Sequence, residues 1–227
     1  MMTFILDPIG DMHIGHKNFM EKPFKHALNR ALKLEHNIIG MGDYIECGTK
    51  TSYGTFTQEE FATDQVNRFI DYFQPFADNN LIIGLLRGNH EARILKQTGL
   101  DIVEIISKAL GVPYFQDAHF FSWNGINIFA THGAGAATTL TGRLRVFQKM
   151  EKICEADLYL CGHFHINFNY KDFLYTINGS RNRFYCMTGS YLDYWKTYAH
   201  TKLLQPNKPG SPSIKIWDKS KMEFKQL

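Results

Sequence analysis

The sequence predicts an α/β protein in which two sheets are sandwiched by helices. Two observations carry that prediction. In the first two thirds, short runs that are apolar along their whole length alternate with longer amphipathic stretches. Beyond residue 165 the chain reads as strands and loops. Residues 1–227 are read as one domain, with 166–227 a basic, aromatic-rich C-terminal part.

Each element has its own signal. A helix over 24–34 is marked by Pro23 near its first turn. Ile38-Ile39-Gly40-Met41 is a buried strand. Thr57-Gln58-Glu59-Glu60 has the form of a capping box, and Phe61, Val66, Phe69, Ile70 and Phe73 follow at helical spacing. Residues 81–86 form the next apolar strand, and a helix over 100–110 is closed by Gly111. Two strands over 119–123 and 126–129 flank Asn124-Gly125, a pair that favours a type I′ turn. A helix over 143–155 places Leu144, Phe147, Met150 and Cys154 on one side. Leu158-Tyr159-Leu160-Cys161 is a third buried strand. Asn178-Gly179 marks a further turn, 205–212 a loop, and 213–217 and 222–224 the last strands. There is no internal repeat.

Composition excludes several classes. With 44% hydrophobic and 21% charged residues, the chain is neither disordered nor collagen-like. No apolar run approaches the ~20 residues of a membrane span. The opening Met1-Met2-Thr3-Phe4-Ile5-Leu6 meets Asp7-Pro8 at once and lacks a basic start, so a soluble, cytoplasmic protein is expected. The four cysteines form no C-x-x-C pair and are read as reduced, mostly buried thiols. Net charge is +3, unevenly spread. Residues 166–227 carry ten Lys/Arg against four Asp/Glu, the first 165 fifteen against eighteen. Either an anionic partner meets the C-terminal third or that third presents a solvated lysine-rich face.

Five of the ten histidines fall in short clusters with Asp, Asn and Gly. These are Asp11-Met12-His13, Gly42-Asp43, Gly88-Asn89-His90-Glu91, His132-Gly133 and Gly162-His163-Phe164-His165. Most directly follow an apolar run, and segments beyond strand carboxyl ends converge in one crevice. Two divalent ions ~3.5–4 Å apart need a bridging ligand, for which the Asp43 carboxylate is suited. Imidazole, carboxylate and amide donors suit Mn, Fe, Zn, Co or Ni. An i,i+2 pair such as Asp11/His13 or His163/His165 points to one side if the local chain is extended. Burying so many polar groups without an ion is costly. His16, His26, His36, His119 and His200 match no cluster and are read as surface or core histidines.

Over residues 4 to about 165 this order of clusters resembles the calcineurin-like metallophosphoesterases. The resemblance implies a four-layer α/β/β/α sandwich with a binuclear metal site, Mn being the expected ion. It implies that Asp11, His13, Asp43 and His165 hold one ion and that Asp43, Asn89, His132 and His163 hold the other. His90 would face the substrate as the catalytic proton donor, with a metal-bridging hydroxide attacking phosphorus. Arg93 is a candidate phosphate clamp, and Arg87 a weaker one. Glu91 would orient a neighbouring histidine or arginine. Pro8 departs from the pattern: it sits where the first, central strand runs, so that strand is expected to end early or to bulge. Residues 166–227 show no assignable motif.

The substrate class stays open between three readings. A phosphodiesterase or nuclease, acting on nucleotide or nucleic acid, fits the two histidines of Gly-His-x-His. Tyr170, Tyr175, Tyr185, Tyr191, Tyr194, Trp195 and Tyr198, set among basic residues, would stack on bases or pack in the core. A phosphomonoesterase of the Ser/Thr phosphatase type resembles residues 42–46 and 86–91, but Cys47 stands where those enzymes have a phosphate-gripping arginine. A non-catalytic metal- or nucleic-acid-binding module is the third.

Overall fold

The structure is a computed structural model that describes residues 3–50, 52, 57–177, 179–201 and 204–226, with the side chains of Tyr198 and Gln226 left out. Its strands are β1 Phe4–Ile9, β2 Asn37–Gly40, β3 Ile82–Leu86, β4 Tyr114–Phe115, β5 Ala118–Trp123, β6 Ile126–Thr131, β7 Leu158–Cys161, β8 Asn167–Thr176, β9 Gly179–Thr188, β10 Pro212–Asp218 and β11 Lys221–Gln226. Its helices are α1 Glu21–Lys33, α2 Ala62–Asp78, α3 Asn89–Thr98, α4 Ile102–Leu110, α5 Leu140–Glu151 and the short α6 Tyr198–Thr201. The strands form two mixed sheets, ordered β11-β10-β1-β2-β3-β4 and β5-β6-β7-β9-β8.

Period-2 alternation along the strands builds the layers. In β2, Ile38 faces one apolar cluster and Ile39 another. In β7, Leu158 and Leu160 turn inward while Tyr159 and Cys161 turn the other way. Three clusters result. The first packs Phe24 and Leu28 of α1, Phe69 and Phe73 of α2 and Val103 and Ile106 of α4 on the first sheet. The second lies between the sheets, joining Leu6, Ile39 and Ile214 to Ile128, Leu160 and Cys186. The third packs Phe147 and Met150 of α5 on Tyr159, Tyr185 and Met187 of the second sheet. Three cores imply four layers, the expected α/β/β/α sandwich. Each large buried aliphatic or aromatic side chain contributes about 1.5–3 kcal/mol of burial.

Two expectations about elements need correction. The first strand neither ends early nor bulges at Pro8: β1 runs to Ile9, with Pro8 in regular register opposite Ile39 of β2. On its other edge the ladder to β10 stops at Leu6, so Pro8 has no N–H to supply there. The segment 57–60 does not open a helix. Lys17 N donates to Thr57 O, Glu59 N donates to Gly15 O, and Gln58 Oε1 accepts from Gly48 N, which pins these residues against the loop after β1. α2 therefore begins at Ala62, and Phe61 is an exposed flanking residue rather than part of its apolar face.

The Asn124-Gly125 hairpin forms as read, with positive φ at both residues. The second hairpin pairs β8 with β9; its turn residue Asn178 lies outside the described residues. Residues 166–227 contribute strands to both sheets. The four cysteines are free thiols, three of them buried. Among the described residues no helix is long and apolar enough to cross a membrane.

Candidate functional site

The clusters converge beyond the carboxyl ends of five strands. Asp11 and His13 follow β1, Asp43 follows β2, Asn89 opens α3 after β3, His132 follows β6, and His163 and His165 follow β7. The backbone reaches this convergence by left-handed turns. Asp11, His13, Asp43, His163 and His165 all have φ between 49° and 70°. The extended chain assumed for the two i,i+2 pairs is thus absent, and His163 and His165 reach different neighbours. Positive φ at non-glycine residues is unfavourable and gathers at functional sites. Gly88 is obligatory for a separate reason: a Cβ there would collide with the main chain and carboxylate of Asp43.

Among the described residues three side-chain groups could each hold a metal ion: Asp11, His13, Asp43 and His165; Asp43, His132 and His163; and His13, Glu46 and His90. The first two share Asp43. In the first, His13 Nε2 lies 3.1 Å from His165 Nε2 and 3.9 Å from Asp43 Oδ2. Asp11 Oδ1 is buried without a hydrogen bond and sits 3.3 Å from His165 Nε2. In the second, His132 Nε2 is 3.4 Å from Asp43 Oδ2. Asn89 joins this group, with its Oδ1 3.0 Å from His132 Nε2 and 2.7 Å from His163 Nδ1.

The outer hydrogen bonds assign the protons. His132 Nδ1–H donates to Met41 O at 2.7 Å, and His163 Nε2–H donates to Gly135 O at 2.8 Å. In the neutral rings, the nitrogens facing Asn89 Oδ1 then carry lone pairs. His13 Nδ1–H donates to Glu46 Oε2 at 3.1 Å, leaving its Nε2 bare toward His165. Such converging lone pairs repel unless a metal ion, or in its place a proton such as the one Asp43 favours on His132, sits among them. The donor set therefore fits metal ions.

The electrostatics agree. Burial opposes charge on His132, yet the Asp43 carboxylate outweighs it and lifts the ring to about 10. His165 is also raised, since burial is outweighed by the Asp11 carboxylate that faces it. Burial of Asp43 is outweighed by the facing His132 and His90 rings, which hold its carboxyl well below the usual range. The carboxylates thus draw positive charge into the centre.

His90 stands beside the centre. Its backbone N–H donates to Asp43 Oδ1 at 2.8 Å, its Nδ1–H donates to Glu46 O at 2.8 Å, and its Nε2 lies 3.8 Å from Asp43 Oδ2. His90 and Arg93 line a cavity of about 630 Å³ together with His13, His165 and Glu46. Arg87 is not at this cavity. It pairs with Asp101 at 2.6 Å and lies 3.6 Å from Asp117, so it serves the packing of α4. Glu91 orients neither a histidine nor an arginine. It is fully buried and accepts backbone N–H bonds from Asp43, Tyr44, Ile45 and Gly88, shaping the Asp43 loop instead.

Two contributors were missed in the sequence. Glu46 bonds His13 and, through its carbonyl, His90; its place three residues after Asp43 was the available signal. His16 lines the cavity, although it belongs to no cluster. Of the remaining unmatched histidines, His36 is buried against Asp7 and His119 stacks on Phe115, as expected for core or packing roles. Of the aromatic set, Tyr185 and Tyr191 are buried in the cores, and Tyr170 and Tyr175 lie on β8 away from the cavity lining. The side chain of Tyr198 lies outside the described residues.

This fold is that of the calcineurin-like metallophosphoesterases. A solved structure that shares it is YfcE, a phosphoesterase from E. coli, which is 13% identical and matches 93% of this chain and 87% of its own with a TM-score of 0.52. A predicted phosphoesterase from Streptococcus pneumoniae matches all of this chain and 90% of its own at 11% identity and a TM-score of 0.48. Vps29 from Entamoeba histolytica, solved with zinc, matches 99% of this chain and 98% of its own at 13% identity and the same TM-score. No protein-family model and no curated protein sequence matches the chain.

Proposed function

We propose that the protein is a metal-dependent phosphoesterase that hydrolyses a phosphodiester. The observation that carries this reading is the sharing of Asp43 by two groups of metal-ligating side chains beside one cavity. Asp11, His13, Asp43 and His165 would hold one ion, and Asp43, Asn89, His132 and His163 the other. Manganese is the favoured ion, and the same donors accept iron, zinc, cobalt or nickel. Bound there, a pair of divalent ions supplies an activated water and neutralises phosphoryl oxygens.

The chain's own residues do the rest. Glu46 Oε2 and Met41 O accept from the Nδ1–H groups of His13 and His132, turning each Nε2 inward. The His90 Nδ1 proton is committed to Glu46 O, so His90 would act through Nε2, giving the leaving oxygen a proton from the doubly protonated ring and returning to the neutral Nδ1–H form. Arg93, on the cavity wall, grips a non-bridging phosphate oxygen.

A phosphomonoesterase of the Ser/Thr phosphatase type needs a second phosphate-gripping arginine next to Glu46. Cys47 stands there, fully buried, with its thiol pushed far up by burial. A neutral buried thiol cannot grip a phosphate, which favours the diester. The test is turnover of bis-p-nitrophenyl phosphate against p-nitrophenyl phosphate by the Mn²⁺-loaded protein. Faster diester cleavage is expected, and a strong monoester preference overturns that choice. Two bound ions with no hydrolysis of either ester supports the non-catalytic module instead.

A further inference from the structure

The cavity extends beyond the candidate centre to a wall made by two segments far apart in sequence. One is the loop after His13, which carries Lys17 and Asn18; the other is the stretch after β9, which carries Leu192 and Lys196. The two are bonded together. Asn18 Nδ2 donates to Lys196 O at 2.6 Å, and Asp193 N donates to Asn18 O at 3.0 Å. Met20 N donates to Tyr191 O at 2.7 Å, and Phe19 bridges to Leu192. Ser190 Oγ donates to Asp11 O at 2.9 Å, so the same stretch buttresses a metal-ligand candidate. Lys17 and Lys196 thus line the same cavity as His90 and Arg93 from one wall whose backbone is braced.

Nothing in the proposed hydrolysis uses these lysines. Arg93 is assigned to the reacting phosphoryl group, and among the described residues the Lys196 ammonium pairs with one acidic group, Asp193, at 3.5 Å. Lys196 belongs to the C-terminal third, whose ten Lys/Arg against four Asp/Glu have no part in the metal groups. A cavity of about 630 Å³ is larger than one phosphoryl group needs. A second anionic group on the substrate accounts for both its size and its charge.

We infer that Lys17 and Lys196 form a subsite for a second phosphate beside the scissile one, so the substrate is a phosphodiester that carries a further phosphate, as in a 5′-phosphorylated dinucleotide. This rests on the phosphoesterase reading for the position of the scissile group. The wall's bonding fixes the backbone from which both lysines reach the cavity, which limits the ordering cost of binding to their side chains.

The test measures binding of a non-hydrolysable phosphorothioate thymidine dinucleotide, with and without a 5′-phosphate, to the Mn²⁺-loaded protein by calorimetry. The 5′-phosphorylated form is expected to bind tighter by on the order of tenfold, the reach of two charge-assisted contacts. That preference shrinks as salt is raised. Lys17→Ala/Lys196→Ala abolishes it, and Lys17→Arg/Lys196→Arg retains it. No preference in the wild type, or one that survives in the double alanine variant, overturns the subsite. Turnover of bis-p-nitrophenyl phosphate by the wild type is measured alongside. Its absence together with an intact 5′-phosphate preference sinks the hydrolase reading and leaves the subsite standing.

Discussion

Oδ2 of Asp43 lies 3.4 Å from Nε2 of His132, and the same carboxylate belongs to two groups of candidate metal ligands. Removing its charge is therefore expected to weaken both of the ion sites proposed for it. Asp43→Asn is expected to bind less than one Mn²⁺ per chain where the wild type binds two, read by elemental analysis of dialysed protein. A variant that keeps two ions shows that Asp43 bridges nothing.

Substitution of His90 is the test that separates metal binding from the proton transfer proposed for it. His90 touches Asp43 through its backbone N–H, which any residue supplies. His90→Ala is expected to retain both ions and to lose about 10²–10⁴-fold in turnover. A near-normal rate removes His90 from the chemistry.

Glu91 tests the frame beneath the centre. Its carboxylate receives four backbone N–H groups in a fully buried position. Glu91→Gln turns an amide donor against those donors, and a loss of about 2–4 kcal/mol in urea unfolding is expected. An unchanged midpoint contradicts the structural role assigned to it.

The metal-free protein has a defined pH response. Burial lowers His13 to about 3 and His90 to about 4, from an ordinary value of 6.5. Below 6.5 the unfolded chain takes up protons that the folded one refuses, so these groups lose stability as pH falls from 6.5 toward 3. His132 acts in the opposite direction: raised to about 10, it contributes stability below 6.5 that is lost as pH rises toward 10. Thermal midpoints of metal-free protein are expected to fall on both sides of a maximum near neutrality. Mn²⁺ is expected to flatten the alkaline side, because coordination replaces the proton on His132. A metal-free profile that is flat from pH 4 to 9 contradicts this electrostatic account.

The sequence made the cluster legible because the candidate ligands are chemically distinctive and follow apolar strands. Asp11, His13, Asp43, Asn89, His132, His163 and His165 all arrive where such spacing places them. What escaped was geometry set by partners distant in sequence. The capping signature at Thr57 lost to hydrogen bonds with the loop after β1, which no local pattern encodes. Arg87 and Glu91 flank the Gly-Asn-His run, yet Asp101 claims one and four amide groups claim the other. Pro8 sits inside a strand because the neighbouring ladder has already ended. The left-handed turns at Asp11 and His163 were hidden because neither is glycine.

Anomalous scattering from crystals grown with Mn²⁺ tests the central claim most directly. Two peaks about 3.5–4 Å apart, one on either side of the Asp43 carboxylate, are the expected result. A single peak, or density that leaves Asn89, His132 and His163 without an ion, contradicts the account.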